Sequence, residues 1–339
     1  MNLKNLVEKE YLNIKEQDIT KKAYEDNSSA IKDLFNQFLK EANSLFNTGL
    51  SMKNVLAKQM IDAFSRACRK EDITSCAYTR EDITLASLKI MQELKGEVNI
   101  LNGIFLTNLI QLHYEKNQII SPKINDFYNL ITEVCEEPLD GFGYQMNGPT
   151  VHIQGSVGYY LGYEMIKGSI ILFGDAYGNL GESMKGGTIH VTKSALSDIG
   201  HKMENGTITI SENCKGNIGM QMSGGNIVVE KNAHNYIGHS MCGGRIHIKG
   251  DAYKSIGKKM NGGEICIEGS CKTEVGHFMQ GGTIHIKKKV GRDVGREMYG
   301  GEIRVDGEIE GELPFFRRNS SYHGKIFQNG KQVFPKVER

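Results

Sequence analysis

From residue 146 to residue 298 a methionine stands at every nineteenth position: Met146, Met165, Met184, Met203, Met222, Met241, Met260, Met279 and Met298. Three residues before each is a glycine: Gly143, Gly162, Gly181, Gly200, Gly219, Gly238, Gly257, Gly276 and Gly295. Three residues after, eight of the nine copies carry glycine, from Gly168 to Gly301, and Pro149 is the exception. Five and seven residues after each methionine come β-branched or leucine side chains, as in Ile208 and Ile210 or Ile227 and Val229. Nine copies without an insertion leave few folds open, because such a unit cannot bury its apolar residues alone and must stack on its neighbours.

The columns specify the unit. Two β-branched residues with a polar one between them read as a strand that buries one face. The flanking glycines permit the positive φ that a sharp bend needs. A further apolar column, Leu161, Leu180, Ile199, Ile218, Ile237, Ile256, Val275 and Val294, precedes the Gly-x-x-Met. Small residues recur at Ala176, Ala195, Cys214, Ala233, Ala252 and Cys271, where space is short. Helical solenoids need units of about 30 residues or more, and leucine-rich repeats need a Leu-x-x-Leu-x-Leu frame that is missing here. The pattern therefore predicts a right-handed parallel β-helix of nine 19-residue coils over residues 141–312. At about 4.8 Å per coil such a rod is roughly 43 Å long. The absence of proline from residue 150 to 313 suits an unbroken ladder.

Glycine usage divides the chain, for only Gly49, Gly96 and Gly103 precede residue 141. Residues 1–140 read as a helical bundle, so the fold class expected is α+β with separate domains. Apolar residues from Ile31 to Phe46 recur at helical spacing, with Ser28 or Ser29 as cap and Gly49 as stop. Further helices are expected after Ser51, after the capping box Thr79-Arg80-Glu81-Asp82, over Asn102–Glu115, and after Ser121-Pro122. Residues 313–339 read as a carboxy-terminal cap. Pro314-Phe315-Phe316 stops the ladder there, and Lys325 to Phe334 forms a hairpin on an Asn329-Gly330 type I′ turn.

Charge is close to balanced: 17 basic against 21 acidic residues up to residue 140, and 24 against 19 beyond it. Neither part has the basic excess of a protein that neutralises many phosphates, so nucleic acid is not an expected partner. The stretch from Met1 to Asp18 carries Lys4, Glu8, Lys9, Glu10, Lys15 and Glu16 and has no apolar core, so no signal peptide is expected. No apolar run is long enough to span a bilayer, and no membrane association is expected. Seven cysteines without a CxxC pair read as free thiols of a cytoplasmic protein.

The motif Gly-x-x-Met-x-Gly-Gly-x-Ile-x-Ile, as in Gly219 to Ile227 and Gly257 to Ile265, resembles the GXGXG β-helix family. That family includes a β-helical subunit of formylmethanofuran dehydrogenase and the carboxy-terminal domain of the glutamate synthase large subunit. The methionine and double glycine look more like the former. The resemblance covers residues 141–311 and implies a non-catalytic part of an oxidoreductase assembly, packed on subunits that hold the redox or amidotransferase centres. The expected role is thus a scaffold or accessory subunit that binds a protein partner and carries no cofactor or catalytic residue of its own. Association with further copies stays open. The alternatives are a hydrolase or small-ligand-binding protein with a site where the helical domain meets the first coils, and a self-assembling structural protein.

The candidate site residues sit on that frame. The outward position between the two strand apolars holds His247, Cys266 and His285 on consecutive coils, a start for a zinc or copper site. The same column also accepts Ile171, Thr209, Val228 and Arg304, and no fourth ligand is in view, so the three are weak candidates and no metal is expected. His201, His239 and His277 recur on alternate coils, too far apart to share an ion. The methionines read as core filler. Tyr159, Tyr160, Tyr163, Tyr177, Tyr236 and Tyr253 cluster on turns and form the candidate docking surface.

Overall fold

A computed structural model describes residues 31, 33–37, 99–120, 127–131, 139–313 and 323–335. The chain divides into two compact units, Met1–Ala86 and Ser87–Arg339. In the first, residues 33–37 are helical and Ile31, Leu34 and Phe35 are buried. The other helices expected before residue 98 or after Ser121, and the Pro314-Phe315-Phe316 stop, lie outside the described residues. The helix expected over Asn102–Glu115 is present and longer, as α1 (Asn99–Ile120).

The second unit is a parallel β-solenoid of about nine turns. Its main sheet joins β1 (Phe127–Ile131), β2 (Asn147–Gln154), β4 (Lys167–Phe173), β6 (Thr188–Val191), β7 (Thr207–Ile210) and β8 (Asn226–Val229). It continues through β10 (Arg245–Ile248), β12 (Glu264–Ile267), β14 (Thr283–Ile286), β16 (Glu302–Val305), β17 (Lys325–Gln328) and β18 (Lys331–Phe334). From β4 to β16 every pairing is parallel and sets each residue opposite its counterpart in the next repeat, as Ile246 with Ile265 and Ile284 with Ile303. A second side of each coil carries β3 (Val157–Tyr159) paired with β5 (Ala176–Gly178). On the same side β9 (Ala233–Ile237), β11 (Ala252–Ile256), β13 (Cys271–Val275) and β15 (Val290–Val294) form a four-stranded sheet. Single bridges through Ala195, Ile199, Cys214 and Ile218 connect the two groups.

The methionines and glycines form one packing device. Each methionine of the repeat is at most 1% exposed. A Cβ added to Gly219 would lie 3.3 Å from the sulfur of Met222, and one added to Gly244 in the next coil would lie 2.7 Å from the Met222 methyl. The same relation holds from Met165 to Met279, so each side chain threads between a glycine of its own coil and one of the coil that follows. A flexible unbranched side chain suits this path, and the reading of the methionines as core filler stands.

A corner that the periodic apolar columns did not reveal carries a second ladder. Polar side chains at 19-residue steps accept the backbone N–H of their counterparts in the next coil. Ser194 donates to Asp175 at 2.8 Å, Asp251 to Asn232 at 2.8 Å, and Ser270 to Asp251 at 2.7 Å. Backbone groups at this bend thus find partners where the strands have ended.

Both ends of the rod depart from the stride of the repeat. At the start β1 pairs in parallel with β2, Phe127 opposite Thr150, a longer step than the coils take. At the far end β17 pairs with β16, Ile326 opposite Ile303, and the step is lengthened in the same way. Ile326 and Leu130 are fully buried and extend the core columns by one rung at each end. Glycine usage marks where the regular coils begin, and β1 and α1 fall in the same compact unit as those coils.

The helix α1 packs on the first coil. Thr107 Oγ1 donates to Gly103 O at 2.6 Å and accepts the Gly143 N–H at 2.8 Å, both buried. Gly103 is glycine because a Cβ there would meet the backbone of Asp140 and Phe142. At the other end the hairpin closes on Asn329 (φ 47°) and Gly330 (φ 75°), the positive φ pair of a type I′ turn. Its last strand, β18, runs antiparallel and ends the parallel ladder.

Candidate functional site

The outward face of the main sheet changes character along the rod. On β2, β4, β6 and β7 its columns hold Thr150, Ser169, Thr188 and Thr207, then His152, Ile171, His190 and Thr209, with no charged side chain. Thr188 donates to Ser169 at 2.9 Å, and His152 meets the ring of Phe173 edge-on. Burial pushes the His152 pKa down. From β8 onward the face is ionic. Lys249 reaches Glu230 at 2.6 Å, Arg245 reaches Glu264 at 2.8 Å, and Lys287 reaches Glu268 at 3.2 Å, each pair on neighbouring rungs. Lys231 with Glu212 and Lys289 with Glu310 add two more. Exposed pairs of this kind contribute about 0–1 kcal/mol each and fade with salt. They hold register more than they stabilise the rod.

The three weak metal candidates do occupy adjacent rungs, with His247 opposite Cys266 and Cys266 opposite His285. Both imidazoles already have partners. His247 Nε2 lies 2.9 Å from Glu268 and His285 Nε2 lies 2.8 Å from Asp306, so each imidazole is engaged by a carboxylate of the following coil. Burial raises the Cys266 pKa, so the thiol stays protonated near neutrality. Glu268 is held below the usual carboxylate range, first by the hydrogen bond from Lys287 and then by that from His247. No group of three or more His, Cys, Asp or Glu side chains that could hold a metal ion occurs among the described residues.

The alternate histidines line one edge in three different settings. His201 Nδ1 is 3.5 Å from Glu182. His239 meets Tyr236 edge-on, and burial together with Lys258 and Lys259 lowers its pKa. His277 stacks on Phe278 at 4.1 Å, while its buried Nε2 makes no hydrogen bond and lies 3.9 Å from Glu297.

The six tyrosines split into two kinds. Tyr159, Tyr177, Tyr236 and Tyr253 are exposed, while Tyr160 and Tyr163 are half-buried. Tyr163 stacks on Tyr144 at 5.4 Å, and burial next to Glu164 raises the pKa of both phenols. Tyr253 is sandwiched by its neighbours, stacked on His234 at 5.7 Å with the Lys272 ammonium 4.6 Å from its centroid. Tyr299 is exposed as well, and the sequence reading missed it because it follows a core methionine directly.

The glycine columns leave an open groove of about 550 Å³ at Gly225, Gly244, Arg245, Gly263, Glu264 and Thr283. Its floor is backbone and the Arg245–Glu264 pair stands at its rim. No described helix is long and apolar enough to cross a membrane. Compared with protein-family models, and separately with curated proteins, the chain matches none.

Proposed function

We propose that this chain is a non-catalytic scaffold or accessory subunit whose right-handed solenoid, which follows an amino-terminal helical bundle in the sequence, holds a protein partner. The observation that carries the reading is the presentation of Tyr159, Tyr177, Tyr236 and Tyr253. All four are exposed large aromatics fixed on hydrogen-bonded rungs, so an interface gains apolar area there at little cost in conformational entropy. The GXGXG-like motif points to a partner within an oxidoreductase assembly of the formylmethanofuran dehydrogenase or glutamate synthase kind. The free thiols of Cys214, Cys242, Cys266 and Cys271 fit a cytoplasmic setting.

Two features weigh against the alternatives. Phe105 and Leu106 of α1 and Phe142 of the first coil are fully buried, which favours a closed core over a substrate pocket there. The antiparallel β18 at the far end opposes open-ended stacking of rods. The experiment is native purification of the tagged full chain, alongside a Tyr236→Ser/Tyr253→Ser variant. The reading expects a stoichiometric second polypeptide that the variant loses while keeping its circular dichroism. Recovery of the chain with no second polypeptide, or turnover by the chain alone that maps to a side chain on the coils, would refute it.

A further inference from the structure

The residue two before each repeat methionine lies on one edge of the rod. Backbone bonds run from rung to rung along that edge: Ser183 N–H donates to His201 O, Lys202 to Met220, Gln221 to His239, and Ser240 to Lys258. The positions are therefore spaced by about 4.8 Å. Met220 stands at the middle of the nine and is half-buried, unlike every methionine of the core column. Two rungs before it is Glu182, and two rungs after it is Lys258. Glu164 adjoins Glu182 through a backbone bond, and the exposed Lys259 follows Lys258. Glu182 accepts from Asn179 Nδ2 at 2.8 Å and lies 3.5 Å from His201 Nδ1, whereas Lys258 and Lys259 form no ion pair among the described residues.

This order is antisymmetric about Met220. A two-fold axis through that residue would carry the edge of one copy onto that of another running the opposite way. Glu182 of each copy would then face Lys258 of the other, giving two ion pairs for one operation. One rung from the centre, His201 faces His239, two rings that can share a hydrogen bond. A parallel arrangement would instead set Glu182 against Glu182 and Lys258 against Lys258.

We infer that this edge is a self-complementary interface on which a second copy of the chain docks antiparallel, with Met220 at the two-fold axis. Single-stranded nucleic acid fits the edge less well. The edge carries Glu164 and Glu182 toward one end and so lacks the continuous basic groove that tracks a phosphate backbone. Eight intervals make the edge about 38 Å long, so a pair burying about 800 Å² per partner needs a strip roughly 21 Å wide. That strip takes in the exposed Tyr236, whose ring lies 6.1 Å from His239. The inference does not rest on the scaffold reading, since it concerns the purified chain with no other protein present.

Sedimentation equilibrium of the full chain tests it. The dimer mass is expected at low salt and at tens of micromolar protein, weakening by about tenfold or more near 0.5 M salt. Lys258→Glu and Glu182→Lys should each weaken association by about tenfold or more, because each sets like charges together twice. The double variant Glu182→Lys/Lys258→Glu restores opposite charges and should return the dimer. A wild-type chain that stays monomeric at low salt, or a folded double variant that does not regain the dimer, overturns the inference. A second readout needs no charge change. In a Cys242→Ser background, Met220→Cys places two thiols at the axis, and mild oxidation should give a covalent dimer joined at that residue. Monomers after oxidation overturn it equally.

Discussion

Replacing Gly263 by alanine tests the packing of the repeat methionines where a methyl has least clearance. Non-glycine residues with positive φ in the described chain lie between 43° and 62°, and at least nine of them sit just before a repeat methionine. Gly263 has φ +90°, beyond anything an L-residue adopts elsewhere in the rod. An alanine there incurs at least the left-handed penalty of about 1–2 kcal/mol. Its Cβ would also lie 2.6 Å from the Met241 methyl and 2.8 Å from Gly244 O, a backbone atom held in the ladder. Overpacking of that kind adds about 1–3 kcal/mol, for a total of about 2–5 kcal/mol. In a domain of this size that lowers the melting temperature by about 4–20 °C. The neighbouring Gly262 is the control. Its φ is not in the left-handed range, so Gly262→Ala escapes the left-handed penalty and carries only the packing cost of a Cβ 2.4 Å from Cys242 O, about 1–3 kcal/mol, in a column that holds Asn205 in another coil. Thermal and urea unfolding followed by circular dichroism measure both. If Gly262→Ala destabilises as much as Gly263→Ala, the account of the double glycine fails.

Three further outcomes follow from the same geometry. Met222→Ala should cost about 2–5 kcal/mol in urea unfolding, because the lost side chain fills the space between Gly219 and Gly244; a loss below about 1 kcal/mol would contradict its packing role. Under native conditions near pH 8, alkylation mapped by mass spectrometry should label the exposed Cys242 well before Cys214, whose thiol burial pushes up to about 12, and before Cys271, shifted the same way. Equal labelling of the three would show that the core opens. His239 and His277 have folded pKa values below 6.5, chiefly from burial, so the unfolded chain binds more protons and stability falls as pH drops from 6.5 through the lowered values. His277→Gln should flatten that acid-side slope, and an unchanged slope would remove the assignment.

The coil was legible because its constraints repeat. The β-branched pairs, the glycines and the methionines each occupy a column, and a column nine deep reveals what a single turn would hide. The polar ladder through Asp175, Asn232, Asp251 and Ser270 was equally periodic, yet Asp, Asn and Ser are so common at bends that it read as ordinary turn composition. The terminal rungs were hidden for a different reason. Leu130 and Ile326 take core positions, but the lengthened step at each end removes them from the frame of the repeat, and neither carries the Gly-x-x-Met in front of it. A hairpin signal at Asn329-Gly330 was visible, whereas the parallel pairing of its first strand to β16 depends on which edge is open, a tertiary fact.

For the site, sequence placed His247, Cys266 and His285 on adjacent rungs but could not orient them. The imidazoles bond Glu268 and Asp306, which lie two residues further along the next coil, a pairing between coils that the column itself does not reveal. Likewise the spacing of the tyrosines did not separate Tyr163, which stacks on Tyr144, from Tyr159, which points outward; the partner ring belongs to the preceding coil.

Rung-by-rung amide hydrogen exchange on the full chain tests the central claim, that stacked coils form one stiff rod presenting surface. Amides of Ile189, Ile208, Ile227, Ile246, Ile265, Ile284, Ile303 and Ile326 should be protected as one cooperative block, with exchange free energies close to that of global unfolding. Independent exchange of separate coils, or fast exchange at Ile326, would contradict it.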